Sequence, residues 1–214
     1  DIEIFMFGLL SIFKKRGDKV SLIVATDGSK GGIKNGTNLR KLRAKETIDA
    51  LKDIGRPNLL NLPDSQLGQD KKDYKIIKRE IEKINPDLII THHKQDYHSD
   101  HVMLSSIVSN IAGHYMPVLF CDTMMGLNFQ PNYYIDITDH FINKKKAVLK
   151  HNTQNPKRFV KLIKLINSYR AAQCNAPEGH FAEGYKIVST FPFADIRSIL
   201  PAAPPIRPFH INKI

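Results

Sequence analysis

An α/β fold, with helices on both faces of a mostly parallel sheet, is the architecture this sequence predicts. Three observations point there. Up to about residue 121, apolar strand-like runs alternate with helix-like segments, the pattern of successive βαβ units. The runs at 20–26 and at Leu88-Ile89-Ile90-Thr91 are almost continuously apolar, as strands covered on both faces are. Directly after the second run comes Asp96-Tyr97-His98-Ser99-Asp100-His101, at the carboxyl end of a strand, where open α/β sheets gather their chemistry.

In chain order, residues 2–16 read as a helix that is apolar nearly all round and therefore covered on most sides, ended by Gly17. Residues 20–26 form a strand leading into Asp27-Gly28, and 40–54 a polar-rich helix closed by Gly55. A short strand at 58–62, an amphipathic helix at 73–84, a strand at 87–91 and a helix at 100–112 follow. Strands at 117–121 and 133–137 and helices at 139–150 and 156–171 complete the elements, and Glu183 reads as exposed loop. The domain is taken as residues 1–191, followed by a tail at 192–214 that carries five prolines and is predicted to be extended. The chain opens on a helix with no strand before it, so either that helix begins the domain or the sequence has lost its beginning.

The 214 residues suffice for one sizeable domain. Net charge is +11, from 32 Lys and Arg against 21 Asp and Glu. This favours anionic partners, although lysine-rich helix faces that keep the protein soluble give the same sum. The basic residues are dispersed, at 14–16, 71–72, 144–146 and 157–158, with no interleaved aromatic RNA motif, so nucleic acid is not an expected partner. Cys121 and Cys174 are far apart and read as free thiols of a reducing, cytoplasmic compartment. The apolar stretch Ile4 to Phe13 is too short to span a membrane, and its basic flank follows it, the reverse of a signal peptide.

Two imidazoles three residues apart with a carboxylate between them suit metal binding or acid–base work, and helix capping is the plainer alternative for His98 and His101. The loop Asp27-Gly28-Ser29-Lys30-Gly31-Gly32 matches neither phosphate-binding glycine motif and reads as a pocket edge. Arg43 and Glu46 suit an i,i+3 ion pair, Glu3 a brace for the first helix, and His92 and His93 structural roles. His151 stands at a helix end, where a cation is comfortable.

Taken together and in order, these segments resemble the LmbE-like (PIG-L) family of zinc-dependent N-acetylglucosaminyl deacetylases. Asp1-Ile2-Glu3-Ile4 is similar to the end of the family's His-Pro-Asp-Asp-x-Glu signature, entered at its second Asp. Asp27-Gly28, Arg43-x-x-Glu46, His98-x-Asp100-His101, Asp136-Ile137-Thr138, Lys146, His151, Gln154 and Ala182-Glu183-Gly184 resemble its later blocks. The resemblance implies a Rossmann-like three-layer fold and a zinc ion held by Asp1 and His101. It also implies His98 beside the scissile amide, Asp100 fixing an imidazole tautomer, and Arg43 binding the sugar or its appended group. The implied activity is hydrolysis of an N-acetyl group from a GlcNAc-type sugar or glycoconjugate, an anionic one included. The alternatives are a non-catalytic sugar- or nucleotide-binding module and, from charge alone, a nucleic-acid-binding protein.

The chain departs from the family at five points. The signature's first His ligand, its general-base Asp and the first central strand have no counterpart, so the chain as written is expected to be truncated, poorly folding and inactive. Ser99 replaces a usual Pro, and Phe5-Met6-Phe7 is bulky, which is expected to narrow the space beside the metal. Oligomeric state is left open, a homo-oligomer included.

Overall fold

The structure is a computed structural model that describes residues 1–30, 37–188 and 191–207; Gly31, Gly32 and the end of the tail lie outside that set. The elements are α1 (Ile2–Phe5), α2 (Phe7–Arg16), β1 (Ile23–Thr26), α3 (Thr37–Leu51), β2 (Asn58–Leu62), α4 (Lys71–Ile84), β3 (Ile89–Thr91) and α5 (Ser99–Ala112). Then come β4 (Val118–Cys121), β5 (Tyr133–Asp136), α6 (Phe141–Val148), α7 (Pro156–Gln173) and β6 (Ala182–Ile187). The α/β architecture is present as predicted. Strands β1 and β2 pair in parallel, and a second sheet has the order β3-β4-β6-β5. In it β3 and β4 are parallel, and only β6, antiparallel to both β4 and β5, runs against the rest.

Two helical layers bind these sheets side by side. On one face, Leu9 and Phe13 of α2, Leu51 of α3 and Ala147 of α6 pack with Leu22, Leu119, Ile135 and Tyr185. On the other, Ile77 and Ile81 of α4 and Ile107 and Val108 of α5 pack with Ala25, Leu62, Ile89 and Val118. The second layer touches strands of both sheets, and the first covers the larger sheet and Leu22 at the start of β1, which gives the three-layer arrangement. Strands β1 and β3 each keep one edge without a strand partner among the described residues.

Strand β6 is the element that the sequence reading missed. Ala-Glu-Gly-Tyr-Lys-Ile has a glutamate and a glycine at its centre, both poor strand formers. Tertiary contacts override that preference. Glu183, expected to be exposed, is 1% exposed. Its Oε1 accepts from Gly8 N and Lys144 Nζ, both at 2.8 Å, and its Oε2 from Leu9 N at 2.8 Å and Tyr185 Oη at 2.7 Å. Gly184 leaves room for Arg170 and Pro131, whose nearest atoms would lie 3.2 and 2.8 Å from an added Cβ. The same carboxylate explains why the predicted helix at 2–16 is broken at Met6 (φ −138°, ψ 3°): it caps a new helix start by taking the Gly8 and Leu9 N–H groups, which have no intrahelical acceptor. Lys144 is the buried partner, whereas Lys146, singled out by the resemblance, is exposed.

Gly17 ends α2 in the left-handed region as expected, at φ 95°. The described part of the tail lies on the body. Ile196 and Leu200 enter the core, Tyr133 Oη donates to Asp195 Oδ1 at 2.5 Å, and Asp136 N donates to Ala202 O at 3.1 Å.

Replacing Glu183 by Gln should cost about 3–5 kcal/mol, because it leaves the Lys144 ammonium buried without its counter-charge. Gly8→Ala should cost about 1–3 kcal/mol by overpacking, since the new Cβ would sit 2.4 Å from Ile137 Cγ2. Chemical denaturation of both variants checks this, and a Glu183→Gln protein within about 0.5 kcal/mol of the parent would refute the assigned role.

Candidate metal centre

The segment between β3 and α5 folds around its own polar side chains. After Thr91 come His92 and His93, both buried, then exposed Lys94 and Gln95, then buried Asp96. His98 N donates to Asp96 Oδ1 at 3.0 Å, closing a turn. His98 is then the N-cap of α5: its backbone is extended (φ −93°, ψ 126°), and its Nδ1 accepts from Asp100 N at 3.2 Å. An imidazole does here what Ser or Asp usually does at a helix start. Accepting through Nδ1 leaves a neutral His98 with its proton on Nε2. Ser99 takes the first helical position, a place that also suits the proline it replaces.

His101, one turn into α5, is buried between two carboxylates. Its Nδ1 lies 3.2 Å from Asp96 Oδ1 and its Nε2 3.3 Å from Asp1 Oδ2. The His92 ring stacks on it with centroids 3.7 Å apart and planes 4° apart, and the His98 ring lies 4.7 Å away at 26°. Ligand atoms of Asp1, His92 and His101 all fall within 4.8 Å of one another. Two imidazoles and a carboxylate are the donor set of a three-ligand catalytic zinc site, so the residues present fit such an ion. Burial, with the His101 charge nearby, lowers the His92 pKa well below the usual value, and the neutral imidazole is the ligating form. Phe5 packs its edge on the His92 ring at 6.0 Å, so the bulky 5–7 segment does border the cluster.

Buried neighbours hold these groups in place. Burial raises the Asp96 pKa, but the contact with His101 and the His98 N–H outweigh it, and the carboxyl is lowered overall. Asp100, expected to orient an imidazole, does otherwise: its carboxylate accepts from Ser65 N at 2.7 Å and Leu67 N at 3.2 Å, fastening the β2–α4 loop to α5. Asp96 occupies the orienting position instead. Glu3 Oε1 lies 3.1 Å from His151 Nε2, which pins α1 and with it Asp1.

Arg43 and Glu46 do not pair with each other. Arg43 Nη1 donates to Gly28 O at 2.7 Å, and Glu46 accepts from Thr153 N and Oγ1 at 2.9 and 2.7 Å. Arg43 thus secures the loop after β1. The structure therefore brings Asp1, His98 and His101 together and turns Asp100 and Arg43 to neighbouring loops. It adds His92 and Asp96. The signal for Asp96 lay inside the motif, and that for His92 in its place as the first residue past β3.

An α/β protein with a His/carboxylate cluster at the carboxyl end of a parallel strand is the class that fold and site define. The profile of PIG-L, GlcNAc-PI de-N-acetylase, matches residues 1–112, and the chain belongs to that family. Among solved structures it is similar to the 4-carboxy-2-hydroxymuconate hydratase from Pseudomonas putida, at 15% identity and TM-score 0.78, over 92% of this chain and 95% of that one. It also resembles the N,N'-diacetylchitobiose deacetylase from Pyrococcus horikoshii, at 20% identity and TM-score 0.76, over 88% and 79%. A deacetylase of the teicoplanin biosynthetic pathway aligns at 16% identity and TM-score 0.71, over 90% and 95%. Among curated proteins there is no significant match.

Exchanging Asp96 for Asn should weaken metal affinity by roughly 10–100-fold, the usual effect of losing a ligand's hydrogen-bonded carboxylate. Asp100→Asn should act mainly on stability. Zinc competition titrations alongside thermal melts separate the two, and equal metal loss in both variants would contradict the assignment.

Proposed function

We propose that the protein is a zinc-dependent N-deacetylase acting on a GlcNAc-type sugar or glycoconjugate, in a cytoplasmic setting. The observation that carries this reading is the cluster of Asp1, His92 and His101 beside the helix-capping His98, in a chain of the PIG-L family. Deacetylases among the structural relatives support it. No described helix is long and apolar enough to cross a membrane, and Cys121 and Cys174 are free thiols.

In this reading Asp1, His92 and His101 hold the ion, which supplies Lewis-acid polarisation of a carbonyl and acidification of water. His98, held at Nδ1 by the Asp100 N–H, offers its Nε2–H to the oxygen on which negative charge develops as the amide is attacked. Asp96 keeps His101 in the tautomer that presents Nε2 to Asp1 and the ion. Asp100 and Arg43 act through the loops they fasten, so Arg43 shapes the substrate side of the site by holding Gly28 in place.

The test is acetate release from N-acetylglucosaminides together with bound zinc. His101→Ala should lose the metal and the activity together. His98→Ala should keep the metal and lose about 10²–10³ in kcat, the effect of removing one oxyanion donor. Zinc-loaded protein that releases no acetate but hydrates an unsaturated acid would move it to the chemistry of the hydratase relative.

A further inference from the structure

We propose that the outward face of α7, together with the turn 124–127 beside it, is a docking surface for an anionic lipid bilayer. The inference goes beyond the deacetylase reading and does not depend on it.

The first observation is electrostatic. Basic residues are spread along the sequence, but acidic ones are not: between Asp139 and Glu178 there is no Asp or Glu, against nine Lys and Arg. That stretch alone accounts for most of the net charge of +11. Two of its cations, Lys144 and Arg170, are buried and paired with Glu183 and Asp122. On α7, Lys157, Arg158, Lys161 and Lys164 are all exposed and enter no salt bridge among the described residues. The three lysines stand at i, i+4 and i+7, so they form a single stripe along the helix. Like charges at that spacing repel one another, and an anionic surface relieves the repulsion.

The second observation is apolar. Beside the cationic stripe runs another, Leu162, Leu165 and Tyr169, at i, i+3 and i+7. Buried Ile163, Ile166, Asn167 and Arg170 take the inward side of the helix, and Leu165 and Tyr169 are left 59% and 55% exposed. The turn Met124–Gly126 packs against α7, and Met125 and, just after it, Leu127 are exposed too. Met125 and Leu162 line one small cavity, so turn and stripe are continuous. This mixture is what an interfacial helix presents. Leucines reach the acyl boundary, a tyrosine sits at headgroup level, and lysines meet the lipid phosphates. Nucleic acid would engage the cations through its phosphates and leave the leucines in water.

Position gives the docking a consequence. The turn follows β4 at its carboxyl end, the same end of the parallel pair β3–β4 from which His92 to His101 emerge. Phe5, with its edge on His92, lines the same small cavity as Met125 and Leu162. Docking by this face keeps the end of the sheet that carries the candidate centre near the bilayer.

The chain contains no tryptophan, so a single introduced one reports its own surroundings. Leu165→Trp and, as a control, Tyr115→Trp are titrated with vesicles of phosphatidylcholine and phosphatidylserine in equal parts, and with vesicles of phosphatidylcholine alone. Tyr115 is exposed and precedes β4, at the opposite end of that strand. Emission from Leu165→Trp should shift to the blue and be quenched by brominated lipid on the anionic vesicles only, while Tyr115→Trp stays unshifted. Co-sedimentation then compares the parent with a Lys157→Gln, Lys161→Gln, Lys164→Gln protein and with a Lys71→Gln, Lys72→Gln, Lys75→Gln protein of the same net charge. The first should bind about a hundredfold more weakly, the scale of three lysines at an anionic surface, and the second nearly as the parent does. Leu127→Ser combined with Leu165→Ser should lose about tenfold. A parent that does not bind the anionic vesicles, equal loss in both lysine variants, a shift in Tyr115→Trp matching that of Leu165→Trp, or RNA binding through the same lysines without vesicle binding would overturn the proposal.

Discussion

One buried carboxylate organises the route from core to site. Glu183 accepts four hydrogen bonds, from Gly8 N, Leu9 N, Lys144 Nζ and Tyr185 Oη, and so joins β6, α2 and α6. A buried ion is costly unless every lone pair is used, and here the geometry uses them all. Capping α2 at Gly8 and Leu9 forces the chain to leave helical geometry at Met6, and that bend sets the direction of α1. Glu3, against His151, fixes α1 at its other end. Asp1 reaches His101 because these two glutamates, 180 residues apart in the chain, hold the short segment between them.

The site follows a second economy of the same kind, in which backbone satisfaction and chemistry share side chains. His98 caps α5 with Nδ1 and, in doing so, selects the tautomer that leaves a donor at Nε2. Asp96 closes the turn by accepting from His98 N and with the same oxygen faces His101. Asp100 uses both oxygens to tether a loop and is joined to no imidazole ring by its carboxylate among the described residues. Two aspartates four residues apart thus have distinct tasks, decided by which backbone N–H groups come within reach.

That distinction marks the limit of what was legible in the sequence. The helices, the apolar strands and the α/β class follow from local periodicity, and β2 was placed at the very residues it occupies, 58–62. The pairing of Asp1 with His101 came through the resemblance. Strand β6 was not legible, because Glu183 and Gly184 gain their place only from Lys144, Tyr185 and the close approach of Arg170. Likewise, nothing local separates Asp96 from Asp100, or marks His92 as a member of the cluster. Arg43 and Glu46 satisfy the spacing of an ion pair, yet each finds a better-placed partner across the fold, Gly28 O and Thr153. Spacing shows which side chains could meet, and tertiary structure decides which do.

The charge of the chain is sorted in the same way. Among the described residues the buried acids are Glu3, Asp64, Asp73, Asp96, Asp100, Asp122 and Glu183, against only Lys144 and Arg170 as buried lysine or arginine. A net charge of +11 therefore understates how positive the surface is and conceals an interior rich in carboxylates. Asp122 and Glu183 are matched by Arg170 and Lys144. Asp64, Asp73 and Asp100 take backbone N–H groups. Glu3 and Asp96 face only imidazoles among the side chains, and burial holds His92, stacked on His101, in its uncharged form. Partly exposed Asp1 adds another carboxylate to that corner. Carboxylates and imidazoles are thus gathered where the three possible ligands converge, a setting that favours a cation, while nearly all the lysines and arginines are left to the surface.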